Sequence, residues 1–295
     1  MTPRVTITIP CYGAGSTLGM ALASVVAQTV DDWECVIVDD GSTPPVAPIV
    51  ERFGDSRFRL HRFDDNRGRP VARQQAIEMA CGDYVCMLDA DDWYYPEKLE
   101  RQLALLDDEP SLAAVSTAVA VVDDEDRLVG VRSLADSGLE VRVGDRNRPP
   151  KVVFPSMMFR REIVEQGTFD PRLRRAEDPD FLMKILGGRR YGVTDEISYA
   201  YRETYSPKAV DEALLALRCQ RITFRERFGD APVESGRQYL GSLARTGIYR
   251  VARAVGRGEW LFDRRNREAS AGERRRFVDR RRAVTEVLDA QKHER

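Results

Sequence analysis

Three carboxylates within four residues give the chain its strongest chemical signal, at Asp89–Asp92 directly after an apolar run. Carboxylates this close repel one another by about 1 kcal/mol per pair near a surface, unless a cation or hydrogen-bond donors compensate them. A helix-capping role does not suit Asp89 and Asp91, because Pro96 at the first helical position would place the cap at Tyr95. Magnesium and manganese are commonly held by one or two carboxylates plus substrate phosphates. The cluster therefore predicts a Mg2+ or Mn2+ site completed by a diphosphate.

A second acidic cluster, Asp39-Asp40-Gly41-Ser42, ends an earlier apolar run. A carboxylate at a strand end can accept a hydrogen bond from a nucleobase N–H or a ribose hydroxyl, and a capped turn is the alternative interpretation. The glycine-rich fingerprints of phosphate loops are missing: no GxGxxG follows the first apolar run, and neither GxxxxGKS nor GxxxxGKT occurs. We therefore expect ligand phosphates to be neutralised by a metal ion and not by a helix N-terminus.

Both clusters occupy corresponding places in a repeating alternation of strand and helix patterns. Apolar, β-branched runs predict strands at Val5–Ile9, Cys35–Val38, Phe58–His61 and Tyr84–Leu88, and helical periodicity predicts helices at Thr17–Gln28, Val46–Phe53 and Pro70–Ala80. Each spacer is long enough for a helical crossover, so the predicted fold class is α/β with a mostly parallel central sheet flanked by helices. Ligands collect at the carboxyl ends of such strands, where both acidic clusters lie.

The pattern weakens after Leu106. Further along, the sequence predicts a hairpin around Ala113–Val122 with a charged turn at Asp123–Arg127, a mobile polar loop at Asp136–Lys151, and a helix from Pro179 to about Leu186. Pro207 is a predicted boundary between an α/β domain, residues 1–206, and a C-terminal helical extension, residues 207–295. Helical patterns in the extension lie near Ala209–Phe228, Gln238–Val255 and Glu273–Gln291.

Composition excludes several functional classes. The 295 residues are 42% hydrophobic, which is typical of a folded globule, and the longest apolar runs are too short to span a bilayer. Only two histidines are present, which argues against a histidine-based zinc site or a Ser-His-Asp triad. Any metal ligands should therefore be carboxylates. Five cysteines without a CxxC pair indicate small buried thiols in a reducing compartment. Since no signal-peptide pattern occurs, we expect a cytoplasmic protein.

Five motifs in order carry a family resemblance. They are Val5–Tyr12, Ser24–Thr29, Val36–Ser42, Asn66–Gly68 with Ala72-Arg73, and Leu88–Asp92. Together they resemble the motifs of family 2 glycosyltransferases with the GT-A fold, over about the first 190 residues. The resemblance implies an enzyme that transfers a sugar from a nucleotide-diphosphate donor, by default a UDP-sugar, to an acceptor hydroxyl with inversion at the anomeric carbon. The products would be glycans, glycolipids or glycosylated metabolites.

The same resemblance implies roles for individual residues. The nucleotide-sugar pocket would comprise Pro10, Cys11, Tyr12, Asp39, Gly68, Arg73, Asp89 and Ala90. Asp91 would coordinate Mn2+ or Mg2+ at the diphosphate, with Asp89 and Glu203 as further candidate ligands, and Asp92 and Trp93 would lie on the acceptor side. Relatives often carry a histidine in the stretch that corresponds to Tyr201–Tyr205, and this chain has none. Either Glu203 replaces it, or the cation relies on Asp91, phosphates and water, which is the interpretation we favour.

Transfer to a hydroxyl also requires a general base. The acceptor hydroxyl must lose its proton as it attacks, so a carboxylate must lie within hydrogen-bond reach of it. In the family this base comes from a Glu-Asp pair that opens a helix, and Glu177-Asp178 matches the pair, which makes Asp178 the predicted base. Two alternatives stay open: Asp178 followed by Pro179 is well suited to cap the helix, and Asp180 is a rival base.

Charge is unevenly distributed along the chain. Residues 218–295 contain 20 Lys and Arg against 11 Asp and Glu, although the whole chain has a net charge of −2. The triplets Arg274–Arg276 and Arg280–Arg282 alternate with Phe277, Val284 and Leu288 at helical spacing, which predicts a cationic amphipathic helix. This helix either packs on its own domain or contacts anionic headgroups or a lipid-linked acceptor at the inner face of the membrane. Nucleic acid is not an expected partner, because the rest of the chain is acidic.

Two other functions stay open at this point, namely a sugar-nucleotide nucleotidyltransferase and a non-catalytic nucleotide-sugar binding module. Nucleotidyltransferases on related sheets usually carry a glycine-rich loop with basic residues after the first strand, whereas Cys11–Ser16 has the glycines without a basic residue. A binding module needs no general base, so substitution of Asp178 and Asp180 distinguishes it from an enzyme.

Overall fold

The computed structural model describes residues 2–203, 207–255 and 265–293. The strands are β1 (Val5–Cys11), β2 (Trp33–Asp39), β3 (Phe58–Arg62), β4 (Tyr84–Met87), β5 (Trp93–Tyr94), β6 (Leu112–Val122), β7 (Leu128–Arg132), β8 (Leu139–Val143), β9 (Met158–Arg160) and β10 (Arg190–Arg202). The helices are α1 (Leu18–Val26), α2 (Ala47–Glu51), α3 (Arg69–Glu78), α4 (Lys98–Asp108), α5 (Arg161–Val164), α6 (Glu177–Leu186), α7 (Pro207–Glu226), α8 (Pro232–Ala254) and α9 (Ala271–His293).

The described residues contain one mixed sheet with the strand order β3-β2-β1-β4-β9-β6-β10-β5. In addition, β7 pairs with β6 and β8 pairs with β10. Strands β3, β2, β1 and β4 run parallel, and so do β6 and β10. The remaining pairs are antiparallel. Strands β1, β2 and β4 are buried almost throughout, because apolar side chains cover both of their faces. Their carboxyl ends therefore meet at one edge of the sheet.

The predicted α/β fold is confirmed, and three details differ from the sequence-based expectation. Parallel order is confined to part of the sheet, since β9 inserts in the opposite direction between β4 and β6. Helix α4 begins at Lys98 with Glu97 as its N-cap residue, two residues later than expected. The polar stretch expected to be a mobile loop contains β8, which pairs antiparallel with β10.

The C-terminal helices make two kinds of contact. Helices α7 and α8 pack on each other through Val210, Leu217 and Tyr249. Helix α9 packs against α1, and its Phe277 and Val284 are buried in the same core as the central strands. The apolar face of this cationic helix thus packs on its own domain, which is the first of the two predicted interpretations. No helix among the described residues is both long enough and apolar enough to cross a bilayer.

Candidate active site

A cleft of about 970 Å³ opens beyond the carboxyl ends of β1 and β4. The N-terminal turns of α3 and α6 and one face of α7 also contribute to its wall. The predicted site residues that line it are Pro10, Cys11, Tyr12, Gly68, Arg73, Asp89, Ala90, Asp91, Asp92, Asp178 and Glu203. Asp39, Trp93, Glu177 and Asp180 do not line this cleft as the described residues form it. The fold therefore gathers most of the residues predicted from separate motifs into one place.

Asp89 belongs to an ion-pair network that connects three elements and is buried at Arg73 and Glu177. Its Oδ1 accepts a hydrogen bond from Arg73 Nη2 at 2.9 Å, while Arg73 Nη1 donates to Glu177 Oε1 at 2.8 Å. Arg69, one helical turn before Arg73, donates to the same glutamate oxygen through Nε at 2.5 Å. Burial opposes ionisation of Asp89, but Arg73 and Arg69 lower its pKa below the usual range. Glu177 is fully buried and does not line the cleft, so the direct catalytic role predicted for it is wrong.

Asp92 and Trp93 secure the acidic turn to the rest of the fold. Asp92 accepts hydrogen bonds from the Tyr199 hydroxyl and the Arg202 backbone N–H, each at 2.7 Å. Burial and the charges of the neighbouring aspartates raise the pKa of Asp92 well above its ordinary range. Trp93 is fully buried and its ring packs against Phe277 of α9. The prediction that Trp93 faces an acceptor is therefore wrong, because strand β5 directs it into the core.

Asp91 is the carboxylate of this turn that is exposed to the cleft. Among the described residues, no basic side chain forms an ion pair with it. The surrounding protein still desolvates it in part, and this effect and the charge on Asp89 raise its pKa. No group of three or more His, Cys, Asp and Glu side chains in the described chain could hold a metal ion by itself. The Asp91 carboxylate fits a Mg2+ or Mn2+ ion whose coordination shell is completed by phosphate oxygens and water.

The two aspartates after β2 differ in position. Asp39 is fully buried and accepts hydrogen bonds from the Ser42 backbone N–H at 2.9 Å and from the Arg62 guanidinium. Burial opposes its ionisation, but these donors lower the pKa of Asp39. Asp40 lines the cleft and accepts a hydrogen bond from Gly68 N–H at 2.9 Å. The expected pocket role of Asp39 is thus corrected: Asp40 is the member of the pair that reaches the cleft.

Strand β1 ends at Cys11, and Tyr12 follows it at the cleft. The Tyr12 side chain is 63% exposed, so its ring offers a flat apolar surface there. Cys11 is buried, and burial together with the charges of Asp39 and Asp40 raises the pKa of its thiol to about 12, which makes it unreactive. All five cysteines are free, and four are buried as predicted, whereas Cys81 is exposed.

Helix α6 begins at Glu177 with Ala176 as its N-cap residue, so Asp178 lies inside the first turn. No side chain caps this helix, and the alternative in which Asp178 serves as a cap is wrong. Ala176 adopts φ 58°, a left-handed conformation that is strained for a side chain larger than glycine. Burial and the charge of Glu177 raise the pKa of Asp178 to about 6, against the opposing effect of two arginines. A carboxylate with this pKa is well matched to general-base chemistry near neutral pH.

Asp180, the rival base, faces the other way. It is buried and forms ion pairs with Lys184 at 2.7 Å and with Arg227 at 3.2 Å. Residues two apart on a helix point to opposite sides, so Asp178 and Asp180 cannot both face the cleft. The geometry therefore removes Asp180 as a candidate base.

Basic side chains are a feature of the cleft that the sequence analysis missed. Glu203 is paired with Arg132 and lies 3.8 Å from Arg265, which compensates its charge and makes it a poor metal ligand. The further arginines at the cleft are Arg69, Arg174, Arg175, Arg202 and Arg265. A signal for Arg69 was present, since it lies four residues before Arg73 on the same helix face. The others lie in loops or at a strand end, where no periodicity identifies them.

Known glycosyltransferases are similar to this chain in sequence. Residues 6–168 match the model of the family described as glycosyl transferase family 2. The chain is 37% identical over 106 residues to the putative teichuronic acid biosynthesis glycosyltransferase TuaG of Bacillus subtilis (strain 168), a match to 35% of this chain and 42% of TuaG. It is 24% identical over 235 residues to the putative glycosyltransferase EpsE of the same strain, across 75% of this chain and 83% of EpsE.

A third relative is the UDP-Glc:alpha-D-GlcNAc-diphosphoundecaprenol beta-1,3-glucosyltransferase WfgD of Escherichia coli, which is 34% identical over 102 residues. That match covers 35% of this chain and 40% of WfgD. The chain thus matches less than half the length of TuaG and of WfgD.

Two solved structures share the fold of this chain. The S. aureus TarS fragment 1–349 in complex with UDP-GlcNAc superposes with a TM-score of 0.62 at 19% identity, covering 98% of this chain and 83% of that one. The mannosyltransferase PcManGT from Pyrobaculum calidifontis, in complex with GDP-Man and Mn2+, gives a TM-score of 0.57 at 16% identity, covering 100% and 88%. Since the family model matches more than half of the sequence, the chain belongs to glycosyl transferase family 2.

Proposed function

We propose that the protein is a metal-dependent, inverting glycosyltransferase that moves a sugar from a nucleotide-diphosphate donor to an acceptor hydroxyl. One observation carries the proposal: Asp91, an exposed carboxylate suited to a cation and diphosphate, and Asp178, a carboxylate with the pKa of a base, line the same cleft. A UDP-sugar is the proposed donor. The TarS complex with UDP-GlcNAc and the UDP-Glc named as the donor of WfgD support this choice.

In the proposed reaction the acceptor hydroxyl gives its proton to Asp178 while its oxygen attacks the anomeric carbon. The new carbon–oxygen bond forms as the bond from that carbon to the diphosphate breaks, and the nucleoside diphosphate leaves with both electrons of the broken bond. Attack on the face opposite the leaving group inverts the configuration. Glu177 keeps the first turn of α6, and with it Asp178, in place through its ion pairs with Arg73 and Arg69.

Asp91 is the residue that would hold a Mg2+ or Mn2+ ion beside the donor diphosphate. When bound, the cation stabilises the negative charge that develops on the leaving group. The Mn2+ reported with GDP-Man in PcManGT supports a divalent ion on this fold. Asp89 is already compensated by Arg73, and Glu203 by Arg132, which leaves Asp91 as the principal protein ligand.

The proposal is tested by donor titration calorimetry with and without Mn2+. Asp91→Asn should lose the increase in UDP-sugar affinity that Mn2+ gives the unmodified chain, which we expect to be at least ten-fold. Asp124→Asn is the matched control, since Asp124 is an exposed aspartate outside the cleft. If Mn2+ strengthens donor binding equally in both variants, the metal role of Asp91 is wrong.

The two rival functions give different results in the same preparation. Release of pyrophosphate from a nucleoside triphosphate would identify a nucleotidyltransferase. Donor binding with no sugar transfer to any hydroxyl acceptor, and no donor hydrolysis, would identify a binding module. Sugar transfer with the opposite anomeric configuration in the product, detected by NMR of that product, is the outcome we expect.

A further inference from the structure

Helix α8 has an apolar face on the side that does not pack against the protein. Its buried residues Ser235, Ser242 and Tyr249 face α7, as their seven-residue spacing requires. The large apolar residues of the other side are exposed, namely Val233, Leu240, Ile248, Val251 and Val255. At 3.6 residues per turn these five side chains fall within an arc of about 80°. The exposed side chain of Arg237 lies within the same arc, and Val255 directly follows the helix. We call these five apolar residues the α8 strip.

A basic groove lies beside the α8 strip. It has a volume of about 660 Å³ and is lined by Asp211, Leu214, Leu215 and Arg218 of α7 and by Arg250, Arg253 and Ala254 of α8. Arg253 is paired with Asp211. Within the described ranges, Arg218 and Arg250 form no ion pair. Apolar walls with two uncompensated guanidinium groups suit a ligand that combines acyl chains with a phosphate headgroup.

The charge of α8 points to the same kind of partner. The helix contains four arginines, at positions 237, 245, 250 and 253, and one glutamate, Glu234. An exposed apolar strip accompanied by arginines is typical of helices that lie in the membrane interface. A second copy of the chain is a poorer partner, because face-to-face pairing of two α8 strips would bring these arginines together.

We propose that the α8 strip and the basic groove dock on a membrane surface that contains anionic lipid. Helix α9, the element for which the sequence suggested membrane contact, is a poorer candidate because its apolar residues Phe277 and Val284 are already buried. The inner face of α7 lines the catalytic cleft through Glu212 and Gln220. Docking through α8 would place both α7 and α8 between the cleft and the lipid headgroups, a separation of about two helix diameters, roughly 20 Å. The proposal does not depend on the proposed chemistry of the cleft.

The test is co-sedimentation of the full chain with vesicles of phosphatidylcholine alone and of phosphatidylcholine mixed equally with phosphatidylglycerol. We expect binding to the mixed vesicles only. Leu240→Asp should lower the partition coefficient at least ten-fold. The control Val278→Asp changes a residue of similar exposure, 62% against 65% for Leu240, on α9, and should leave partitioning unchanged.

A second pair of variants tests the basic groove. Arg218→Gln with Arg250→Gln should weaken binding to anionic vesicles by about five-fold per arginine, since each basic residue near such a surface contributes ~1 kcal/mol. Arg275→Gln with Arg281→Gln removes the same charge from α9 and should have little effect. Circular dichroism and UDP binding check that each variant is folded.

Three outcomes would overturn the proposal. The first is equal partitioning of Leu240→Asp and Val278→Asp. The second is failure of the unmodified chain to bind mixed vesicles. The third is a dimer of the unmodified chain, seen by analytical ultracentrifugation, that Leu240→Asp converts to monomer, because the strip would then be a contact between two copies.

Discussion

A single proton on Asp178 sets the pH dependence expected of the proposed reaction. Burial and Glu177 raise its pKa to about 6, and the base acts only when it is deprotonated. We therefore expect kcat to rise about ten-fold per pH unit below pH 6 and to level off near pH 7. The measurement is a kcat profile at saturating donor and acceptor. A profile that is flat between pH 5 and 7 would contradict the assignment.

Ionisation of the Asp178 carboxylate also lowers the stability of the folded chain. In the folded chain Asp178 binds its proton more tightly than an unperturbed carboxyl of pKa 3.8 does. Its contribution to the free energy of unfolding therefore falls as the pH rises from about 4 to about 6. Proposed activity and local stability thus change in opposite directions across this interval, as expected of a group held in place for chemistry and not for stability.

Substitution separates the two candidate bases. Asp178→Asn should lower kcat by roughly 10²- to 10⁴-fold, the usual contribution of a general base, while donor affinity changes little. Asp180→Asn is the comparison, because this residue pairs with Lys184 and Arg227 outside the cleft. It should lose stability but keep most of kcat. Equal losses of kcat in the two variants, measured on folded protein, would leave Asp178 without its proposed role.

Sequence reasoning identified the acidic motifs at this scale but not which member of each motif reaches the ligand. Asp39 and Asp40 are adjacent at the end of a strand that is buried on both faces, so alternation does not tell which side chain points to the cleft. The hydrogen-bond and ion-pair partners of each aspartate decide which one reaches the cleft, and Arg62, which pairs with Asp39, is one such partner. Trp93 was misplaced for a similar reason, because the residue on which it packs, Phe277, is distant in sequence.

At the scale of elements, the Asp89–Arg73–Glu177 network connects β4, α3 and α6. Arg73→Met should lower the free energy of unfolding by about 3–5 kcal/mol, because it removes a partner of the fully buried Glu177 and of the partly buried Asp89. Urea denaturation measures the loss. Arg282→Met is the matched control, since this arginine and its partner Glu286 are both exposed, and it should change stability little.

The same variant has a second readout that distinguishes positioning from a general loss of stability. Arg73 opposes the rise in the pKa of Asp178. Removal of its charge should therefore move the acid limb of the kcat profile to higher pH. An unchanged limb in folded Arg73→Met protein would show that the network does not act on Asp178.

The elements of the first hundred residues could be predicted because their strands are apolar throughout and their helices keep a regular period. Strand β8 was missed although Leu139–Val143 alternates apolar and charged residues, because two of its valines are exposed and the neighbouring residues are polar. The start of α6 was misplaced because no local cap sets it. Glu177 lies at the helix start, paired with arginines about a hundred residues earlier in the chain, and sequence periodicity contains no information about such a contact.

For the whole molecule, the contact of α9 with the sheet decides whether the C-terminal extension folds separately. Phe277 packs against Trp93 in the main core, so Phe277→Ala should lower the free energy of unfolding by about 3–5 kcal/mol. Val278→Ala, at an exposed neighbouring position, should change it by less than about 0.5 kcal/mol. Urea unfolding followed by tryptophan fluorescence and by far-ultraviolet circular dichroism should give one shared transition, because α9 and the sheet share a core. If the helical signal is lost before the fluorescence changes, and Phe277→Ala leaves the fluorescence midpoint unmoved, residues 271–293 unfold independently and the predicted boundary near Pro207 marks a true division of the chain.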